Sequence, residues 1–191
     1  LSRSIPTTKG VMGIATCDKG LPAMMMALAG TPEKPTIIVP GGVTLAVEEG
    51  EDTAMIQSIG ARYAQDEVTL EYAQDMGCKT CASPGGGCQF LGTAGTSQVI
   101  AESLGMTLPH AALTPSGTNI WLDTGRRSAL ALKNLVDNKI NTKAILTDQA
   151  FENAMIVHAA CGGSTNLILH LPALAHAVKR KMMKVDDWTR I

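Results

Sequence analysis

Apolar positions near the start of the chain form two short β-favouring runs, Val11 to Thr16 and Thr36 to Val39. Between them Leu21 to Ala29 is a run of strong helix formers, closed by Gly30 and Pro32. Strand, helix and strand in close succession predict a βαβ unit with parallel strands. The residues from Cys17 onward and Pro40-Gly41-Gly42 would then follow neighbouring carboxyl ends, where open α/β sheets place their ligands. From Glu51 the spacing turns helical, over Asp52 to Ala64 and then Thr69 to Met76 with Gly77 as the stop. Helical patterns return over Thr96 to Leu104, Ile120 to Val136, Thr142 to Thr147, Asp148 to Ala160 and Thr165 to Arg180. The expected class is α/β, a parallel sheet flanked by helices with a helix-rich C-terminal half, in one domain or two tightly joined lobes.

Two stretches interrupt this pattern. In Cys78 to Cys88, the glycines Gly85-Gly86-Gly87 let the backbone approach a ligand or turn its N–H groups toward one, so Gly85 to Cys88 reads as a ligand-holding loop. Gly162-Gly163-Ser164-Thr165 has two readings. It is either a helix stop followed by a Ser/Thr cap, or a turn whose free N–H groups meet an anion, with Gly163, Ser164 and Thr165 as substrate contacts.

Composition narrows the classes. The 191 residues are 45% hydrophobic and 17% charged with net charge -1, enough apolar material for a core and no basic patch for nucleic acid. No apolar run reaches membrane-spanning length and no secretion signal opens the chain, so a cytoplasmic protein is expected. Five cysteines, an odd number, favour ligand or core roles in a reducing compartment over disulfides. Cys161, after Ala159-Ala160, reads as core. Cys78 and Cys81 form a CxxC with Cys88 beyond it, which admits a zinc-stabilised interaction module, although the histidines lack the close pairing of a zinc finger. The chain begins Leu1-Ser2-Arg3 and stops at Ile191, and it reads as a piece of a longer protein.

Cys17-Asp18-Lys19 carries the densest chemistry. A soft thiolate, a hard carboxylate and an amine stand side by side after a strand, suited respectively to iron-sulfur or zinc, to Mg²⁺, and to nucleophilic chemistry. Such a trio fits the meeting point of two metal centres.

The run Cys17-Asp18-Lys19-Gly20-Leu21-Pro22-Ala23-Met24-Met25-Met26-Ala27 resembles the signature of the dihydroxy-acid dehydratase and 6-phosphogluconate dehydratase family. The order of later motifs agrees: Gly86-Gly87-Cys88 with Gly92-Thr93-Ala94, Glu102-Ser103-Leu104-Gly105, and Ala150-Phe151-Glu152-Asn153-Ala154-Met155 leading to Gly162-Gly163-Ser164-Thr165-Asn166. The stretch Ser83 to Gln98 is most similar to the sugar-acid branch, which dehydrates aldonic acids such as D-xylonate. The branched-chain branch has Thr-Ala-Asn where this chain has Thr93-Ala94-Gly95.

The resemblance implies the N-terminal α/β domain of a longer hydro-lyase that turns an aldonate into a 2-keto-3-deoxy acid and water. Cys17 and Cys88 would be two of three thiolates on an iron-sulfur cluster, 2Fe-2S or 4Fe-4S. Asp18 and Lys19, the lysine as a carbamate, would bind Mg²⁺, with Lys19 a catalytic residue. The third thiolate, further Mg²⁺ carboxylates and a serine base belong to segments without a counterpart here, so the chain alone is expected to be inactive. A homo-oligomer is implied for the full-length protein. Dihydroxy-acid dehydratase of branched-chain amino acid biosynthesis is the enzyme alternative.

Overall fold

The structure is a computed structural model that describes residues 7–45, 50–79 and 92–191, with the backbone alone at Thr53, Ala54, Cys78 and Lys79. The predicted βαβ unit is present: β1 (Val11–Ala15), α1 (Gly20–Ala29) and β2 (Thr36–Pro40). β1 and β2 are parallel, in a register that sets Val11 opposite Thr36 and Ala15 opposite Pro40. The helix forms because Leu, Met and Ala fill it. Its face bearing Leu21, Met25, Leu28 and Ala29 is buried, and Gly13 of β1 leaves room for Met24.

Every residue of β2 is buried. Its second edge is occupied as well: Ile38 N–H donates to the Met106 carbonyl at 2.7 Å, and Val43 exchanges bonds with the Thr114 carbonyl and the Ser116 N–H. The remaining helices are α2 (Thr53–Gln57), α3 (Ile59–Ala64), α4 (Leu70–Lys79), α5 (Thr93–Ser103), α6 (Asn119–Asp137), α7 (Thr142–Ile145), α8 (Asp148–Ala160), α9 (Leu167–Ala177) and α10 (Val185–Arg190). One apolar core joins α1, β2, α5, α8 and α9 through Leu21, Leu28, Ile38, Ile100, Phe151, Met155, Leu167, Leu171 and Leu174. The α/β class and the helix-rich C-terminal half are as expected.

Several boundaries differ from the sequence pattern. The helix expected over Asp52 to Ala64 is two helices that meet at Ser58, and the one expected to stop at Gly77 runs on to Lys79. α9 starts at Leu167, two residues later than predicted, and ends at Ala177, where Lys179 in the left-handed region at φ 57° turns the chain away. α10 had no counterpart in the pattern. Cys161 is exposed, which corrects its assignment to the core. α8 buries Phe151, Ala154, Met155 and His158, whereas Ala159 and Ala160 face water, and the backbone leaves the helix at Cys161.

Candidate active site

β1 ends at Ala15 and α1 begins at Gly20, so Cys17, Asp18 and Lys19 form the turn between them. Cys17 sits at φ 73°, a left-handed conformation that non-glycine residues rarely occupy and that is kept where function or packing requires it. Its Sγ donates to Asp18 Oδ1 at 3.2 Å. Lys19 Nζ donates to Asp18 Oδ2 at 2.6 Å. These two bonds, Lys19 first, hold the Asp18 carboxyl below its ordinary range. Lys19 is three-quarters exposed, with 74% of its side chain accessible.

Next to this turn the end of β2 is tightly held. Gly41 N–H donates to the Ala15 carbonyl at 2.8 Å, and Trp121 Nε1 donates to the Pro40 carbonyl at 2.9 Å. Gln98 of α5 grips Gly42 from both sides: its Oε1 accepts from the Gly42 N–H at 2.7 Å and its Nε2 donates to the Gly42 carbonyl at 3.0 Å. Gly42 lies at φ 80°, and a Cβ there would fall 2.1 Å from the Thr114 carbonyl oxygen, so only glycine fits. Through Gln98, α5 is locked to the strand end beside Cys17.

The Gly162–Asn166 turn is not the Ser/Thr cap of α9, because Asn166 holds the N-cap position and no side chain caps it. Its first half closes α8. Gly162 N–H bonds the Ala159 carbonyl and Gly163 N–H the His158 carbonyl, the paired pattern of a Schellman end. Its second half docks on the first turn of α5. Ser164 Oγ and Thr93 Oγ1 are 2.8 Å apart, Asn166 Nδ2 donates to Thr93 Oγ1 at 2.6 Å, and Ser164 N–H donates to Thr96 Oγ1 at 3.1 Å.

α9 links that turn to Cys17-Asp18-Lys19 through His170. This histidine lines a small apolar cavity with Pro22, Met26 and Leu167, and its Nδ1 is buried without a hydrogen-bond partner among the described residues. Burial, then the Lys19 charge, push its pKa below the ordinary 6.5, with Asp18 opposing. From the sequence alone no role follows for His170, Gln98, Thr93 or His158 beyond the family motifs and the unpaired histidines. A glutamine among the small and apolar residues of α5 was the one local signal for any of them.

Cys81, Cys88 and the Gly85 to Cys88 loop lie outside the described residues, as does the Cys78 side chain, so the Cys17–Cys88 pairing and the zinc alternative do not enter the geometry. Among the described residues no group of three or more His, Cys, Asp or Glu is placed to hold a metal. No helix among them is long and apolar enough to cross a membrane.

Residues 4–191 match the dihydroxy-acid/6-phosphogluconate dehydratase N-terminal family. The chain belongs to this dehydratase family. Over its whole length it is 59% identical to D-xylonate dehydratase YagF and 58% identical to D-xylonate dehydratase YjhG, both of Escherichia coli strain K12. Over 188 residues it is 35% identical to dihydroxy-acid dehydratase of Methanococcus maripaludis. It spans 29% of the length of the two xylonate enzymes and 33% of the third. Within the family frame, Glu102 has a structural role, accepting from the His110 and Ala112 N–H groups at 2.7 and 3.0 Å.

Proposed function

We propose that this chain supplies part of the active site of a hydro-lyase that converts a D-xylonate-type aldonic acid into a 2-keto-3-deoxy acid and water. The observation that carries the reading is the gap in similarity: 59% and 58% identity to two D-xylonate dehydratases against 35% to a dihydroxy-acid dehydratase. That gap favours the sugar-acid substrate over the branched-chain one.

The donors present suit the metals that the family resemblance implies. Cys17 and Cys88 would be the thiols for an iron-sulfur cluster, and Asp18 with Lys19 the hard ligands for Mg²⁺. Bound there, the cluster would supply a Lewis-acidic iron for the departing hydroxyl and Mg²⁺ a hard cation for the substrate carboxylate. Asp18, with its pKa held low, is ionised at neutral pH and needs no proton removed to serve as a ligand. Lys19 is accessible to CO₂: its ammonium would first give up a proton, and the amine so formed would make an N–C bond with CO₂ and release a second proton, replacing a cation that Mg²⁺ repels with an anionic oxygen donor. Thr165 would offer its N–H and hydroxyl to the substrate, while the Gly163 N–H is held by the His158 carbonyl and Ser164 holds the turn against Thr93.

The test is to assay the full-length protein on D-xylonate, a panel of other aldonates, and 2,3-dihydroxyisovalerate. Fast release of 2-keto-3-deoxy acid from D-xylonate with slow or no turnover of dihydroxyisovalerate is expected. The reverse preference would assign the protein to the branched-chain branch.

A further inference from the structure

Behind the Gly163–Asn166 turn the hydrogen bonds continue into a histidine–tryptophan pair that the dehydration reading does not use. His158, in the last turn of α8, is 6% exposed. Its Nε2 lies 2.9 Å from the Ser164 carbonyl oxygen, and its Nδ1 lies 3.1 Å from Trp188 Nε1. The two rings meet edge to face, centroids 6.1 Å apart at 83°. An indole N–H can only donate, so Nδ1 must accept and the ring proton must sit on Nε2, where it is given to the Ser164 carbonyl. Trp188 thereby selects the imidazole tautomer that the turn needs.

The same ring shapes the turn by contact. A Cβ on Gly163 would fall 2.6 Å from His158 Cδ2 and 2.7 Å from Thr96 Cγ2, so the backbone passes between the imidazole and α5 with no space for a side chain. Ser164 is used up in this docking: its carbonyl bonds His158, its N–H bonds Thr96 and its hydroxyl bonds Thr93. Thr165, the next residue, is exposed, and among the described residues its hydroxyl has no hydrogen-bond partner. The turn therefore has an anchored residue and a presented one.

We propose that His158 and Trp188 are positioning residues that hold the Ser164 backbone so that Thr165 and its N–H meet the substrate in one orientation. The inference rests on the dehydratase reading above and extends it to two residues that touch no substrate. A loosened turn weakens ground-state and transition-state contacts alike, so KM should move and kcat should not.

The experiment uses the full-length enzyme with D-xylonate and three variants: Trp188→Phe, His158→Gln and His158→Ala. Trp188→Phe keeps an aromatic ring, although a smaller one, and removes the donor. Its KM should rise about tenfold, the lower range for lost supporting hydrogen bonds, with kcat within about twofold. His158→Gln retains an amide N–H for the Ser164 carbonyl and should lie between wild type and His158→Ala. Wild-type KM in both Trp188→Phe and His158→Ala would overturn the proposal. So would equal losses in all three that follow a falling melting temperature, which mark a merely structural role. If the wild-type enzyme fails to dehydrate D-xylonate, the dehydratase reading itself fails, a result separable from either of these.

Discussion

Between residues 50 and 79 three helices leave every described side chain at least partly exposed, whereas α5 buries Thr93, Ala94, Gly95, Thr96, Ser97, Gln98, Ile100 and Ala101. The exposed segment is held by surface groups: Arg62 donates to Glu51 at 2.6 Å and Tyr72 to the other Glu51 oxygen at 2.8 Å. Met55, Tyr63 and Leu70 remain about half exposed. In α5 Thr93, Thr96 and Gln98 point inward and bond backbone or side chains of other segments, at Gly42, Ser164 and Asn166, while the buried Ser97 hydroxyl has no partner among the described residues. Helical spacing alone does not tell these regions apart. A polar group that is buried must find a partner, and in α5 those partners are the loops around Cys17-Asp18-Lys19 and Gly163.

If the comparison holds, substitutions near α5 and α1 should cost function or global stability, and those in 50–79 neither. The largest effect is expected for Lys19→Arg in the full-length enzyme. Arginine cannot form the carbamate and leaves a permanent cation at the metal position, so kcat/KM should fall roughly a thousandfold or more. Arg62→Lys should leave it unchanged. Steady-state assays on D-xylonate check both, and normal turnover by Lys19→Arg would remove the Mg²⁺ role.

Next comes Gly42→Ala, which meets both the left-handed φ and the Thr114 carbonyl. It should lower the unfolding free energy by about 3–5 kcal/mol, the range of strained or overpacked buried sites. Gln98→Leu should cost about 2–4 kcal/mol, because it strands the Gly42 N–H and carbonyl inside the protein. Urea unfolding of the chain measures both, and a loss under 1 kcal/mol in either would show that the strand end can relax.

The smallest effect is local and depends on pH. The Arg62 hydrogen bond, then that of Tyr72, depress the Glu51 pKa below its ordinary 4.5. Stability from this carboxylate is therefore fully present above 4.5 and is lost as pH falls through the depressed folded value. Protection against hydrogen exchange in 50–79, taken relative to the intrinsic rate at each pH, should fall only in that acid window. Glu51→Gln should raise exchange at neutral pH and remove the acid step, with α5 unaffected.

What the sequence made legible follows from how local each cause is. α8 runs from Asp148 to Ala160 as predicted, because its start is set by the Thr147 side chain accepting the Ala150 N–H and its stop by Gly162-Gly163. The boundary of α9 was missed because Ser164, which would have capped it, is bound to Thr93, 71 positions away. Cys17, Asp18 and Lys19 were identified from residue type and position after a strand, and their adjacency on one turn needed no tertiary information. His158 and Trp188, 30 positions apart, acquire a role only when α10 packs against α8, and no spacing rule joins them.

The central claim is that the Cys17-Asp18-Lys19 turn belongs to a metal centre, and the direct measurement is metal and sulfide content of full-length wild-type and Cys17→Ser proteins prepared without oxygen. The account predicts iron, acid-labile sulfide and a brown absorption band in the wild type, all lost or sharply reduced in Cys17→Ser. A colourless wild type containing zinc, or a Cys17→Ser protein that keeps its full iron and sulfide, would contradict it.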